Sequence, residues 1–538
     1  MSKQIIFNVE AHAKILAGIN KLEQATSSTL GPMGKNVIID EYGYIHSTKD
    51  GVSVAKSIVL KDKFENLGAS AIREVAEKSN EKVGDGTTTS TLLAAEVYRN
   101  GLKYVSLGSN STQIKNGIKH AAEHAISFIK SIAKPISTKT DIENVAIVSA
   151  NGDKKVGSMI ADVMDKIGND GTIKVENGSG IEMSSKIVEG MVIDKSYSSP
   201  YMVTNPETME AELDNPWILL VDRKISNIKE ILPTLQSVNH TGRPMLIIAE
   251  SYADDILATL VMNKMRGGLN CVAINAPSYG DNRRAILDDI AILCGGRVVT
   301  EATGTRIENA QPTSGILGQA ARIVISKTNT IIIGGYGDEQ AVQNRISNIK
   351  QLIKNTSDTY EVEKLQERLA KLTSGVGVIT VGAVTEAERK ELRDRVDDAF
   401  YASKSAIRSG IVAGGGSSLL AAKKDLVNWI NNENTLINDE LIGAKIFCDS
   451  LEAPIRTILN NAGLDSSLII SKILQSENIN YGFNVLKNDY VDMISDGIID
   501  SAEVVINELQ NSSSIASLLL TTEALIVDEP EVIQKTNI

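Results

Sequence analysis

The chain has 538 residues, of which 42% are hydrophobic, 23% charged and only 4% aromatic. That composition excludes a disordered chain, and the length asks for several domains rather than one core. With 55 basic and 67 acidic side chains the net charge is −12, and without a local basic patch such a surface repels a phosphate backbone, which sets nucleic-acid binding aside.

Residues 1–130 read as mostly helical, with apolar positions at helical spacing in Ala71-Ile72-Val75-Ala76 and Leu92-Leu93-Val97. One strand-like run, Asn36–Asp40, interrupts them, and residues 134–190 carry shorter elements with many turn signals. From 217 to 300 the compact apolar runs WILLVD, MLIIAE and CVAINA, with the weaker RVVT, alternate with helical segments. This order predicts βαβ units and a largely parallel sheet. None of these runs leads into GxGxxG, so the sheet gives no sign of a dinucleotide site. ARIVISKTNTIIIGG (321–335) predicts a β-hairpin. Residues 385–409 predict one long helix, opened by a capping box of Thr385 and Glu388 and stopped at Gly410. Helical texture then returns, so the order suggests nested insertion, with both chain ends in one domain.

The start MSKQIIFNVE lacks the charged-then-apolar pattern of a secretory signal, and SLLLTTEALIV near the end is far short of the roughly 20 residues that span a bilayer. Cys271, Cys294 and Cys448 are widely spaced with no CxxC and are expected to be reduced thiols. A soluble protein of the cytoplasm, without membrane contact, is the expectation.

The sharpest local motif is Gly84-Asp85-Gly86-Thr87-Thr88-Thr89, running straight into LLAAEVYRNGL. Glycines let a backbone approach a ligand, the first N–H groups of a helix point at an anion, and Asp85 suits a hard cation such as Mg²⁺. Thr and Asp are also favoured as plain N-caps, so the local pattern leaves both readings open. The loop Thr29–Asn36 mixes glycines with a lysine but is not a Walker A loop, and alone reads as a turn. Asp397 and Asp398 fall on the polar side of their helix, where a solvated carboxylate and one that aligns a water look alike. His120 and His124 fit an HxxEH zinc pattern, or merely the polar face of an Ala-rich helix. Helix 253–266 is apolar around more of its circumference than one buried face needs, which fits either an exposed sticky surface or a helix between two layers.

Over nearly its whole length the chain resembles the group I chaperonins (GroEL type). The resemblance is carried by TLGPMGKNVIID (29–40), KDGVSVAKSI (49–58), GDGTTTSTLLA (84–94), VEGM with YSSPYM (188–202), ISNIKEILPTL (225–235), YGDNRRAILDDIA (279–291), RVDDA (395–399) and GIVAGGG (410–416). It implies a multidomain α and α/β chaperonin fold: a helical equatorial ATPase domain from 1–133 and 409–538, an intermediate hinge domain from 134–188 and 375–408, and an apical α/β client-binding domain from 189–374. It implies an ATPase with ATP/ADP, Mg²⁺ and K⁺, heptameric rings, non-native polypeptide clients and a GroES-type co-chaperonin. Matching motifs imply that Thr29, Leu30, Gly31, Pro32 and Lys49 meet the nucleotide, that Asp85 holds Mg²⁺, and that Gly86, Thr87, Thr88 and Thr89 cradle phosphates. Gly415, Asn484 and Asp500 are implied at the nucleoside, with Asp398 as the catalytic carboxylate and Asp50 assisting. Tyr197, Tyr201, Met202, Leu232, Leu235, Leu257, Val261 and Met262 are the implied client-binding positions. The chain departs from the family in Val485 and Leu486, where alanines are usual, in Ser501 after Asp500, and in ending VIQKTNI without a Gly-Gly-Met tail. A passive holdase or assembly scaffold that kept the fold is the rival reading.

Overall fold

Apolar side chains gather into two large cores, which divide the chain into two compact units. The structure, a computed structural model, describes residues 2–528 apart from 42–43, 169–170, 179, 207, 301–303, 357, 433–435 and 437; the terminal VIQKTNI lies outside the described residues. The first unit comprises Met1–Asp162, Val175–Met183 and Thr380–Ile538, the second Val163–Lys174 and Ser184–Ile379. Both chain ends thus share the first unit, where strand Lys3–Phe7 pairs antiparallel with Ala524–Asp528. Residues 134–162 and 380–408, set apart in the sequence as part of an intermediate domain, fall within that unit.

The first unit is mainly helical, and its helices start and stop where local chemistry dictates. Asn110 accepts from the N–H groups of Thr112 and Gln113 to open helix Ser111–Ile132, whose buried Ile114, Ile118, Ala121, Ala125 and Ile129 form a stripe at three- and four-residue spacing. Asp62 opens helix Lys63–Val83 in the same way, and Gly84, left-handed at φ 70°, closes it. The strand-like run at 36–40 is one arm of a hairpin: Val37–Glu41 pairs antiparallel with Tyr44–Thr48.

A core poor in aromatics is built from Ile, Leu, Val and Ala, and its helices approach to backbone contact at reciprocal glycines. A Cβ on Gly117 would stand 1.9 Å from the carbonyl oxygen of Glu440 in helix Asp439–Ser450, and one on Gly443 would stand 2.1 Å from that of Ile114. Gly18 and Gly68 do the same between helices Asn8–Ser27 and Lys63–Val83, at 1.8 Å from Glu65 O and 2.3 Å from Ile15 O. Gly117→Ala is expected to destabilise the unit by about 3 kcal/mol, because the obstruction is backbone and cannot rotate away. Thermal unfolding checks this, and a variant that melts with the wild type refutes it.

The second unit holds an eight-stranded mixed sheet. Cys271–Asn275, Met245–Tyr252 and Trp217–Ile225 run parallel, with Val298–Val299 also parallel to Trp217–Ile225. The first five residues of both Trp217–Ile225 and Met245–Tyr252 are buried without a break, as expected of strands covered on both faces. Helices Ile228–Asn239, Asp254–Met265 and Gly280–Cys294 connect these strands in chain order, as the βαβ reading predicts. The predicted hairpin is present as Gly318–Ile325 against Thr330–Gly335. Trp217 carries the Arg243 guanidinium 4.3 Å above its ring and donates to Thr241 at 3.3 Å. All three cysteines are buried and unpaired, and burial pushes the Cys271 and Cys294 thiols up to about 12. Among the described residues no helix is long and apolar enough to cross a membrane.

Candidate functional site

In the first unit, helix Thr87–Ser106 begins after Gly86, left-handed at φ 75°, and no side chain caps its first N–H groups. Only a glycine fits at 86: a Cβ there would stand 2.7 Å from Glu508 Oε1 and 2.8 Å from Val504 Cγ1. Thr87 and Thr88 are buried, and Gly51 lies so close that a Cβ would stand 2.1 Å from Thr88 Oγ1. The loop before helix Gly51–Ser57 is therefore pressed onto the start of helix Thr87–Ser106. Asp50 caps the shorter helix, accepting from Val52 N at 3.1 Å and Ser53 N at 2.8 Å.

Around this helix start the acids outnumber any partner. Asp85 accepts from Ser149 Oγ and from Gly86 N, each at 2.6 Å, yet burial first and the Asp50 charge second push its carboxyl up. Asp398, from the middle of helix Glu386–Ser409, is pushed well above the carboxylate range by burial and then by Asp50, Asp85, Asp394 and Asp397. Asp500 is pushed up to about 7 by burial and Asp85. Glu508 is likewise raised, by burial, Asp500 and Asp85, against a hydrogen bond to Thr89. Positions 50, 85, 398 and 500, far apart in sequence, thus share one electrostatic site.

Of the remaining predicted residues, Gly415 reaches this site through Asp500 and Lys49 adjoins Asp50 in the chain. Lys49 is half-buried, its ammonium held below its ordinary value by burial and by Arg395, with Glu391 opposing. Thr29 is buried and donates to Thr26 O at 2.8 Å; Asn461 donates to Leu30 O at 2.9 Å, and Ile458 lies against Gly31. Pro32 is exposed. The turn they form is tied to helix Thr87–Ser106 through Thr26 Oγ1 and Thr91 Oγ1, 3.4 Å apart. Gly415 donates its N–H to Asp500 and packs on Met493. Asn484 is committed locally: its amide donates to Asp496 at 2.5 Å and its oxygen accepts from Leu486 N and Lys487 N. Val485 packs on a hydrophobic cluster, while Leu486 is exposed.

Three members of the site escaped the sequence reading. Asp394 lies four residues before Asp398, a spacing that puts both on one helix face and was legible. Ser149 and Glu508 carry no local signal; only the fold brings them to Asp85 and Thr89.

Among the described residues no three His, Cys, Asp or Glu side chains converge on a metal position. Asp85, a single carboxylate beside the uncapped N–H groups of helix Thr87–Ser106, would suit Mg²⁺ shared with phosphate oxygens rather than an all-protein cage. His124 accordingly has another occupation: Nε2 meets Asp425 Oδ2 at 2.7 Å and the ring stacks on Trp429 at 4.8 Å. His120 is exposed.

In the second unit the predicted client-binding residues separate into three sets. Tyr201, Leu232 and Met262 are exposed, by 68%, 43% and 48%, and Met265 joins them at 66%. Tyr197, Leu257 and Val261 are half-buried against the core. Met202 and Leu235 correct the expectation, for both are core residues. Met202 sits in the turn Pro200–Met202 with its sulfur accepting from Ala273 N at 3.2 Å, and Leu235 lies on the buried side of its helix with Ile231 and Val238.

Residues 22–530 match the TCP-1/cpn60 chaperonin family. Among solved structures the chain is similar to the chaperonin gp146 from the bacteriophage EL 2 (Pseudomonas aeruginosa), crystallised in the presence of ATP-BeFx. The TM-score is 0.69 at 23% identity, covering 98% of this chain and 99% of the other. Nearly the whole sequence matches one family and nearly the whole backbone follows one fold, so the chain belongs to the TCP-1/cpn60 chaperonins.

Proposed function

We propose that this chaperonin is an ATP-hydrolysing ring that binds non-native polypeptide on apolar apical positions and releases it as nucleotide turns over, in the cytoplasm. The observation that carries the reading is the convergence of Asp50, Asp85 and Asp398 on the uncapped start of helix Thr87–Ser106. Phosphoryl transfer to water needs chiefly positioning and charge neutralisation. The N–H groups of residues 87–89 and the hydroxyls of Thr87, Thr88 and Thr89 receive the phosphates. Asp85 would hold Mg²⁺, which when bound neutralises phosphate charge; a triphosphate without metal would add to the carboxylate repulsion. K⁺ belongs beside the backbone of Thr29 and Lys49. Asp398 orients the attacking water, with Asp50 behind it fixing helix Gly51–Ser57. Asp500 and the Gly415 backbone receive the ribose, and Asn484 contributes by shaping the turn that presents Leu486.

On the second unit, Tyr201, Leu232, Leu257, Val261 and Met262, with Tyr197 beside them, offer apolar surface that needs no sequence code in its client, because burial is non-directional. A GroES-type lid would compete for the same residues. A heptameric ring is part of the same proposal, supported by the chain's membership of the chaperonin family.

Negative-stain images with and without nucleotide, taken alongside phosphate release, test the reading. Rings that release phosphate only with Mg²⁺ and K⁺ and that rescue a chemically denatured protein are expected. Rings that hold the denatured protein but never release phosphate would instead establish the passive holdase.

A further inference from the structure

Helix Glu386–Ser409 meets the site along one stripe. Asp394, Asp398, Tyr401 and Ser405 follow one another at spacings of four, three and four residues, which places them on one face. Two members of the stripe are fastened to the chain neighbour of a site acid. Ser405 Oγ, fully buried, stands 2.7 Å from the hydroxyl of Ser501, the residue after Asp500. Tyr401 is fastened to Gly84, the residue before Asp85: a Cβ on Gly84 would stand 2.3 Å from Tyr401 Cβ, 2.8 Å from Cγ and 3.0 Å from Cδ2.

Gly84 and Gly86 are both left-handed, and Gly86 lies against Val504 and Glu508 of helix Ala502–Leu520 as Gly84 lies against Tyr401. The loop Gly84-Asp85-Gly86 is thus pressed by two helices, and glycine alone admits either contact. Core packing does not account for Tyr401, which is 50% exposed. Its ring is set by buried Phe400, with centroids 5.3 Å apart and planes tilted by 51°, an arrangement favourable to aromatic pairs. The atoms nearest Gly84 are the methylene and ring carbons rather than the hydroxyl.

Resting on the ATPase reading above, we infer that Tyr401 is a positioning residue for hydrolysis: through Gly84 it sets how the helix that carries Asp398 stands against the loop that carries Asp85. The helix start that would receive the phosphates has other supports, since Gly86 rests on Val504 and Glu508 and Gly51 on Thr88. Loss of the ring therefore loosens the placement of Asp398 and leaves the phosphate cradle where it is. A displacement of about 1 Å at a reacting centre is enough to cost about a hundredfold in rate.

The test compares Tyr401→Ala and Tyr401→Phe with wild type in the assembled protein, following phosphate release with Mg²⁺ and K⁺, the KM for ATP, binding of a fluorescent ADP, and thermal melting. Gly84→Ala is no substitute, because a side chain at φ 70° strains the backbone whatever it touches. The Ala variant is expected to lose between about tenfold and a hundredfold in kcat, with KM, ADP binding and melting temperature close to wild type. The Phe variant, which keeps the ring, is expected to recover most of the rate. An Ala variant with the wild-type kcat overturns the inference. So does a loss that Phe fails to restore, or one that comes with weaker ADP binding and a lowered melting temperature, since these mark the hydroxyl or the fold instead. A wild-type protein that releases no phosphate at all removes the ATPase reading and this inference together, whereas the other outcomes remove Tyr401 alone.

Discussion

Asp398→Ala is expected to lower Mg²⁺-dependent ATP hydrolysis at least about a hundredfold, the scale on which a positioned carboxylate contributes, while the protein still binds nucleotide. In the proposed site the start of helix Thr87–Ser106 would hold the phosphates, Asp85 the Mg²⁺, and Asp500 with Gly415 the nucleoside, none of them by way of Asp398. Binding of a fluorescent ADP should therefore be unchanged where single-turnover hydrolysis collapses. The same substitution removes a carboxyl pressed by Asp50, Asp85, Asp394 and Asp397, so the nucleotide-free protein should melt at a higher temperature than wild type near pH 8. Equal hydrolysis in the two proteins would remove Asp398 from its role. A lower melting temperature would show instead that it holds the fold.

The nucleotide-free protein is also expected to lose stability as the pH rises from about 4.5 to 8. Asp394 and Asp500 are lifted to about 7, and Asp85, Asp398 and Glu508 are raised as well. In this window the folded chain keeps protons that the unfolded chain has already released, so stability falls as pH rises. The loss is complete once the raised groups ionise in the fold. Because the carboxyls are coupled and titrate together, the cluster is worth on the order of 3–5 kcal/mol rather than the sum of its members. Glu452, Asp492 and Asp496 are shifted the other way and act in a separate window, losing their contribution only as pH falls below the ordinary carboxylate range. Calorimetry at pH 5.5 and pH 8 checks the slope, and Mg²⁺ with ADP should raise the melting temperature more at pH 8. A melting temperature that climbs with pH in the absence of nucleotide contradicts the cluster.

The parts of the fold legible in sequence are those written in local chemistry. Thr385 accepts from Glu388 N at 3.2 Å and Gly410 ends that helix as their spacing predicts, but only this half of the expected capping box is formed among the described hydrogen bonds. The parallel strands announced themselves as short apolar runs because both faces are covered. The second arm of the 37–48 hairpin was hidden, since Tyr44–Thr48 carries no apolar run. Spacing alone did not tell Asp398 from Asp397, because one faces other acids and the other Arg393, a distinction that tertiary neighbours create. Met202 and Leu235 failed as surface residues for a related reason: an apolar residue reads alike whether it points at a sheet or at solvent. The glycines at 18, 68, 117 and 443 sit in helices where sequence offers a penalty and no motive; the motive is the backbone of another helix.

The chain has only two tryptophans, and the fold gives one to each compact unit: Trp429, stacked on His124, to the first, and Trp217, beneath Arg243, to the second. Replacing either by phenylalanine leaves a single emitter whose fluorescence reports on one unit alone. In a protein this poor in aromatic residues, that amounts to two built-in optical channels, through which the response of each unit to added nucleotide or to a denatured protein can be timed separately without any attached dye.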